Sequence, residues 1–366
     1  MKNVGVFFGG KSVEHDISVI TGVITLNALK RAGYSPIPIY LSHSGKWWTG
    51  EKLFDVENYK NLNEKELVEV TVLPAENGLY SIKNQKKLKL LYNLSVGLNC
   101  MHGERGEDGS LAGLLKMCDI PLASPSLLPS AISMDKRATK IFLKGLSVST
   151  LPYKTAEFST DYKEFGKGIE YPVIIKPNRL GSSIGISTAN DFEELKQGIN
   201  SALRYGDLAI IEPKLSDFIE INCACYKKAS GEIVASECEK PIGSSDVLSF
   251  DDKYKKGQRE FPANISKSLS LKIKRTAKKI YKELDFNGVM RIDFFCVNNK
   301  VYVNEINSVP GSLAYYLFSD TISDFKSVLD EIIKGIEKSF AKEMSFKKKF
   351  ESSVLNITGV KSAKRL

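Results

Sequence analysis

Short apolar runs closed by glycine alternate with segments of helical period along most of the chain, and this alternation restricts the possible folds more than any other feature. Residues 3–8 (NVGVFF) form an apolar run stopped by Gly9-Gly10, "DISVITGVITLNALKRAG" has helical spacing and ends at Gly33, and a second strand follows at about 36–41. Such a strand-helix-strand order is satisfied by a layered α/β architecture in which helices cover a sheet. At 366 residues the chain exceeds one ordinary domain of roughly 150 residues, so two or three units are expected.

The first unit reads as residues 1–122. Its stretch from 51 to 90 is polar and irregular, with strand-like pieces "VEVTVL" and "LYSI"; it closes with the strand-like "SVGLNCMHG" and a helix in "GEDGSLAGLLKMCDI". A central unit, 123–205, begins with a helix near Ser133 (MDKRATKIFLKGL) and holds the strand "PVIIKPN", the loop "RLGSSIGIS" and the helix "DFEELKQGINSALRYG". The third unit, 206–340, opens with "LAIIEPKL" and ends with a strand pair at 289–307 and the helix "DFKSVLDEIIKGIEKSF". Within it, residues 243–262 are long, polar and aperiodic, the pattern of a lid. Residues 341–366 form a basic tail.

Composition excludes several classes. With 42% apolar and 26% charged residues the chain is of soluble globular type. No apolar run approaches the ~20 residues that span a bilayer, and "MKNVGVFFGGKSVEHD" reads as strand and turn instead of a signal peptide. The expectation is a cytoplasmic protein without a membrane partner. The net charge is +9, but +5 of it lies in residues 341–366. That tail has no interleaved aromatics, so no nucleic-acid partner is expected, and the mildly basic body suits small anionic ligands. The six cysteines form no C-x-x-C pair, which reads as reduced packing thiols.

The chemistry starts from the strand pair. Period-two alternation puts Arg291, Asp293 and Phe295 of "VMRIDFFCV" on one face, and Val301, Val303, Glu305 and Asn307 of "VYVNEIN" on one face, with Asn304 turned away. With a three-residue turn, Asn298-Asn299-Lys300, Asp293 stands opposite Glu305 and Arg291 opposite Asn307, with Cβ atoms ~5 Å apart. Two carboxylates that close repel, and a cation between them resolves the repulsion. Oxygen donors, with the Asn307 carbonyl added, suit Mg²⁺. A two-residue turn would break this register. The competing reading is a salt bridge from Arg291 to an acid on a solvated sheet face.

A divalent cation held by few protein groups completes its shell with phosphates. Lys176 ends an apolar strand, and the Gly181-Ser182-Ser183-Ile184-Gly185 loop after it offers backbone N–H groups and hydroxyls to a phosphate. The loop is neither a Walker A nor a dinucleotide motif. Glu14, in "FFGGKSVEHDIS", stands where a strand and a Gly-Gly turn meet a helix. It reads either as a helix cap or as an acid exposed at the carboxyl end of a sheet, where open α/β sheets bind ligands.

Eight motifs, "GGKSVEHDIS", "HGERGEDGSLAGLL", "MDKRATK", "IIKPNRLGSSIGIS", "IEPKLSDFIEIN", "DDKYKKG", "RIDFF" and "NEINSVPGS", follow one another up to about residue 320. In order and spacing the chain resembles the D-alanine-D-alanine ligases of the ATP-grasp superfamily. The resemblance implies a Rossmann-like N-terminal (pre-ATP-grasp) domain and two α+β jaws enclosing ATP. It implies ATP-dependent, ADP-forming ligation of two D-alanine molecules through a D-alanyl phosphate, for peptidoglycan precursors, by a homodimer. By similarity Lys136, Lys176, Ser182, Ser183 and Lys253 contact ATP phosphates, Glu212 the adenine amine and Glu220 the ribose. Asp293, Glu305 and Asn307 hold two Mg²⁺ ions, with Mn²⁺ as an alternative and Glu305 bridging.

The same resemblance gives Glu14 the first substrate's ammonium and joins it with Ser182 and Tyr254 in a triad, with His102 close to that substrate. Arg291 and the Gly311 backbone N–H stabilise an oxyanion. The chain departs from the family after Pro310-Gly311. Many members continue with a methionine or phenylalanine and a threonine, then Ser-His-Ser, whose last serine helps hold the second substrate's carboxylate; here Ser312-Leu313-Ala314-Tyr315-Tyr316 follows, and Tyr316 stands in that serine's place. Ser312, Tyr315 and Tyr316 are therefore the second-substrate candidates. Tyr254 in place of a lid histidine argues against a D-lactate depsipeptide product. Rival readings are a D-alanine-D-serine or other D-amino-acid dipeptide ligase, and a non-catalytic nucleotide-binding protein. The last is countered by the presence of Glu14, Lys176, Arg291, Asp293, Glu305 and Asn307.

Overall fold

In the computed structural model the described residues are 1–83, 87–242 and 258–347. Strand β1 (Asn3–Gly9) runs parallel to β2 (Ser35–Leu41), and helix α1 (His15–Arg31) connects them. Strands β3 (Trp47–Thr49), β4 (Val68–Leu73), β5 (Glu76–Lys83) and β6 (Lys87–Asn93) then extend the sheet antiparallel, and β7 (Val96–Asn99) closes its other edge parallel to β1. The order is β6-β5-β4-β3-β2-β1-β7. The stretch 51–90, expected to be irregular, thus holds most of three ordered strands.

Helices α2 (Ser110–Met117), α3 (Leu127–Met134) and α4 (Lys136–Gly145) follow. The helix expected to begin near Ser133 is α4, and a separate helix, α3, precedes it. Asp135 between them is extended (φ −95°, ψ 107°), and its carboxylate caps α4 by accepting from the Ala138 N–H at 2.8 Å.

The second sheet has the order β10-β9-β11-β8, from β8 (Lys154–Ala156), β9 (Val173–Pro177), β10 (Ser187–Ala189) and β11 (Ala209–Pro213). Helix α5 (Tyr162–Phe165) is one short turn, and α6 (Phe192–Ala202) packs on this sheet through Leu195 and Ile199. The strand in "LAIIEPKL", read as the opening of the third unit, is β11, which is hydrogen-bonded to β9 and β8 in this central sheet.

The third sheet is built from β12 (Ile219–Lys227) and β13 (Ile233–Ala235); β14 (Lys240–Pro241) and β15 (Arg259–Glu260) make a separate small ribbon. Residues 243–257 of the expected lid, including Lys253 and Tyr254, lie outside the described residues. Helix α7 (Lys267–Glu283) covers the sheet, which β16 (Met290–Val297) and β17 (Lys300–Asn307) complete. Ile273, Ala277 and Ile280 of α7 pack with Ile292, Phe294, Val301, Val303 and Ile306 in one core.

Helix α8 (Ile322–Met344) returns to the first sheet. Its Phe325, Leu329 and Ile333 share a core with Val4, Leu26, Leu29 and Val96. Burying each such side chain stabilises by about 1.5–3 kcal/mol, so the first and third units are fastened by apolar contact. The helix runs into the expected tail, whose residues 348–366 lie outside the described ones. All six cysteines are buried and free.

The β16–β17 hairpin corrects one expectation and explains another. Its turn is two residues, Asn298-Asn299, both left-handed (φ 48° and 62°), the combination that matches strand twist in a tight hairpin. The three-residue turn is therefore wrong. The pairing it was meant to produce is nevertheless present: Asp293 opposes Glu305 and Arg291 opposes Asn307, while nearer the turn Phe294 opposes Val303. Asn304 is the extra residue, a β-bulge that shifts the register by one. The bulge also reverses the alternation. Val301, Val303 and Ile306 face the core, whereas Asn304, Glu305 and Asn307 line cavities on the other face. Glu305 does not share a face with Val301 and Val303, and Asn304 does not turn away from the site.

The turn makes a direct prediction. A β-branched residue is strained in the left-handed region by about 1–2 kcal/mol, so Asn299→Val lowers the free energy of urea unfolding by that amount and Asn299→Gly does not. Equal unfolding midpoints for the two variants would contradict the assignment.

Candidate active site

Two adjoining cavities, about 520 Å³ and about 100 Å³, share Lys136, Gly181, Glu220, Asp293 and Glu305 in their walls. The larger is also lined by Glu14, His102, Arg291, Asn307, Gly311, Ser312, Tyr315 and Tyr316, and the smaller by Lys176, Ser183, Glu212, Phe218 and Phe295. The bulged hairpin lies between them.

Asp293 is held from two sides. Arg291 donates through Nε and Nη2 to its two oxygens at 2.8 and 3.0 Å, and the Asn307 amide donates at 3.0 Å. Across the ladder, Lys136 Nζ lies 3.1 Å from Glu305 Oε1. The Arg291 salt bridge posed as the competing reading is thus present, on a buried face: Asp293 is 4% exposed. Burial opposes the Arg291 charge, but the Asp293 carboxylate outweighs it and holds the guanidinium's pKa well above its ordinary value.

Glu212 is also buried, between two cations. Lys176 Nζ lies 2.6 Å from it, and Lys140 forms a second ion pair with it. Burial pushes the Glu212 carboxyl pKa up, yet Lys176 and Lys140 bring it below the ordinary value. Lys176 also reaches Asn304 Oδ1 at 3.3 Å, so the bulge residue joins the two cavities. Lys140 was not picked out from the sequence. The available signal was its place four residues after Lys136 in "MDKRATK", on the same face of α4. Phe218 and Phe295 meet edge to face at 4.9 Å and give this pocket an apolar wall.

The Gly-Ser loop bends through left-handed Ser182 (φ 54°) and Ser183 (φ 58°). The Ser182 hydroxyl donates to Glu14 Oε1. A Cβ on Gly181 would sit 3.0 Å from that same oxygen, so any side chain there would press Glu14 away by a few tenths of an ångström. Glu14 occupies the N-cap position of α1 but makes no side-chain cap bond; its carboxylate is directed to the loop.

Beside Glu14, the sequence reading missed Glu107. It accepts from the Gly103 and Val309 N–H groups at 2.9 and 3.0 Å and from the Ser308 hydroxyl at 3.2 Å. Burial, with the Glu14 charge second, raises its carboxyl from 4.5 to about 8. The signal was an acid inside the glycine-punctuated "HGERGEDGS". Burial, reinforced by Arg291 and only partly offset by a hydrogen bond to the Val309 backbone, lowers the His102 imidazole from 6.5 to about 4. Its Nε2 lies 2.9 Å from Thr21 Oγ1, which also accepts the Ser312 N–H at 2.9 Å.

After Gly311, Ser312, Leu313 and Ala314 are all left-handed, with φ from 48° to 51°. The turn delivers Tyr316 to Arg291, whose Nη1 donates to the phenol oxygen at 3.2 Å. Tyr315 packs against Tyr316 and Phe325, with ring centroids 5.9 and 6.3 Å away. The structure therefore brings together every expected site residue except Lys253 and Tyr254, which lie outside the described residues.

Comparison with known proteins gives one answer. The family described as "D-ala D-ala ligase N-terminus" matches residues 3–125, and "D-ala D-ala ligase C-terminus" matches residues 146–334. A D-alanine–D-alanine ligase from Thermosipho melanesiensis is 37% identical over 353 residues, covering 92% of this chain and 94% of that protein. The crystal structure of the D-alanine-D-alanine ligase from Helicobacter pylori superposes with a TM-score of 0.77 at 28% identity, covering 93% of this chain and 98% of that one. The VanG D-Ala:D-Ser ligase from Enterococcus faecalis gives a TM-score of 0.78 at 26% identity, covering 92% and 99%.

Two groups in this site make opposed contributions to stability. The fold favours protonated Glu107, so its contribution is complete below pH 4.5 and is lost as the pH rises through about 8. It favours neutral His102, whose contribution is complete above pH 6.5 and is lost as the pH falls through about 4. Glu107→Gln is expected to flatten the loss of stability between pH 4.5 and about 8, and His102→Gln the loss between pH 6.5 and about 4. Urea midpoints measured across both ranges check this; slopes unchanged from wild type would refute a protonated Glu107 and a neutral His102.

Proposed function

The chain belongs to the D-alanine-D-alanine ligase family, and we propose that it uses the two adjoining cavities to join two D-alanine molecules with ATP, through a D-alanyl phosphate. The observation that carries this reading is the opposed pair Asp293 and Glu305, flanked by Asn307, Arg291 and Lys136 and shared by both cavities. The smaller cavity has the apolar wall and paired lysines suited to a nucleotide. The larger has the Glu14 carboxylate, suited to the ammonium of an amino acid, with the Glu107 carboxyl beside it as a hydrogen-bonding group.

Asp293 and Glu305 supply hard carboxylate oxygens, and the Asn307 amide, rotated by half a turn, supplies a third. This donor set fits Mg²⁺, two ions by family likeness, with Mn²⁺ accommodated equally. Bound there, the metal would neutralise phosphate charge and polarise the transferred group. Lys136 and Lys176 approach from the other side, where they meet phosphate oxygens together with the Ser182 and Ser183 backbone. Glu220 faces the ribose, and Glu212 the adenine amine once Lys176 turns to phosphate.

Glu14, oriented by Ser182, takes the first substrate's ammonium beside His102, which places that substrate's carboxylate towards the phosphates. After phosphoryl transfer the second amine, in its neutral form, attacks the acyl carbon, and negative charge develops on the acyl oxygen. Arg291 and the Gly311 N–H stabilise that charge, since fixed donors aimed at a developing oxyanion need no reorganisation during reaction. Collapse of this intermediate breaks the bond from carbon to the phosphate oxygen, releasing inorganic phosphate, and the nitrogen loses its proton to solvent. Lys253 and Tyr254 are assigned to phosphate and to the Glu14–Ser182 triad by family likeness.

We assign the enzyme to the cytoplasm. No helix among the described residues is long and apolar enough to cross a membrane, which is compatible with that place. A homodimer through the first unit is supported by two exposed apolar side chains on α2, Leu114 and Met117.

The test is phosphate release from ATP with D-alanine alone, and with D-serine, D-lactate or L-alanine added, with products identified by mass. D-alanyl-D-alanine is expected, and no dipeptide at any D-alanine concentration would overturn the proposal. Glu305→Gln is expected to abolish turnover; a near-normal rate would refute the metal role.

A further inference from the structure

Six acids, Glu14, Glu107, Glu220, Glu239, Asp293 and Glu305, stand in the wall of the larger cavity, and its cations are nearly all engaged. Lys136 donates to the Leu180 carbonyl at 2.7 Å and pairs with Glu305. Arg291 commits Nε and Nη2 to Asp293 and Nη1 to Tyr316. Burial keeps His102 neutral. Arg259 differs. Its Nη1 contacts Glu239 Oε1 at 3.3 Å and the Tyr316 carbonyl at 3.1 Å, while its Nε and Nη2 make no hydrogen bond among the described residues. The guanidinium lies over the Tyr316 ring at 4.8 Å and the Phe261 ring at 5.1 Å. Two aromatic faces and one carboxylate thus fix the plane of a guanidinium whose free edge borders the cavity.

In the proposed reaction the two amino acids differ in what becomes of their carboxylates. The first is phosphorylated and consumed. The second stays an anion throughout and ends as the C-terminus of the product, so it requires a cation that the chemistry does not otherwise engage. We propose that the Nε–Nη2 edge of Arg259 binds the carboxylate of the acceptor amino acid, with Tyr316 and Glu239 setting its orientation. A planar guanidinium edge pairs with a carboxylate through two parallel hydrogen bonds. This makes Arg259 an acceptor-binding, specificity-determining residue. The inference rests on the ligase reading of the site.

The experiment uses the full chain and two acceptors, D-alanine and D-alaninamide, which has the same amine and methyl group but no carboxylate. Wild type is expected to prefer D-alanine strongly. Arg259→Gln is expected to raise the KM for D-alanine as acceptor by about ten- to a hundred-fold, to leave the KM values for ATP and for the first D-alanine near wild type, and to leave use of the amide unchanged. Arg259→Lys, which keeps the charge but not the fork, is expected to recover part of the preference. Equal losses with both acceptors in the Gln variant, or an unchanged preference, would overturn the proposal. So would a wild type that uses the amide as well as D-alanine, a result independent of whether any variant folds. In that last case dipeptide still forms from D-alanine and the ligase reading stands; absence of dipeptide from wild type would instead defeat the ligase reading itself.

Discussion

Asp293 and Glu305 face each other across a two-stranded ladder on a largely buried face, and the surrounding groups are arranged to bear that juxtaposition. Like charges about 5 Å apart repel, and burial prevents water from screening them. Each acid is therefore met by a cation, Arg291 for Asp293 and Lys136 for Glu305. Those cations come from different places, Arg291 from the neighbouring residue on the same face of β16 and Lys136 from the start of α4. The carboxylate pair thus ties the third sheet to the central unit. The bulge at Asn304 creates the arrangement, since it brings the two acids into register and turns Glu305 out of the core at the same point.

Contacts from the first unit complete the cavity. Glu14 meets Ser182 of the central loop, Glu107 holds the Val309 N–H and the Ser308 hydroxyl, and Thr21 accepts the Ser312 N–H. The last two contacts steady the segment that runs into the left-handed turn at Ser312–Ala314, a conformation costing about 1–2 kcal/mol per residue. The turn persists because Leu313 and Ala314 are buried in the core shared by α1 and α8. Strain in this turn is thus offset by the apolar packing of the strained residues themselves.

The alternation of strand and helix was readable from glycine-terminated apolar runs, because a period of two or 3.6 survives whatever packs against it. The opposition of Asp293 and Glu305 was legible too, but for an incorrect reason: a two-residue turn plus a bulge equals a three-residue turn in register. A cue to the bulge does exist in "VYVNEIN", where the apolar positions move from odd (301, 303) to even (306). Asp135 is one residue in a continuous helical pattern, and its role as a cap depends on backbone dihedrals that periodicity does not report. Glu107 and Lys140 act through burial between distant elements. Nothing local distinguishes Glu107 from the neighbouring Glu104, which is exposed. Arg259 owes its position to two rings and an acid contributed by three different segments.

The charges explain how the two cavities divide their tasks. At the bulged hairpin acids and cations pair one to one, leaving no net charge before a metal or phosphate arrives. Glu212, by contrast, faces both Lys140 and Lys176. Burying this triad is unfavourable unless an anion relieves it, since desolvation costs several kcal/mol per ion and one carboxylate balances only one of the lysines. On the proposed function, its surplus positive charge would draw phosphate towards the smaller cavity. Glu14, in the wall of the larger cavity, would on the same reading draw an ammonium. An amino acid and a nucleotide entering together would then be oriented by the field before close contact is made, with the substrate carboxylate towards the phosphates. Arg259 adds a second positive group, in the wall of the larger cavity. On the proposal made for Arg259, two amino acids in one cavity would be told apart by which cation each carboxylate faces.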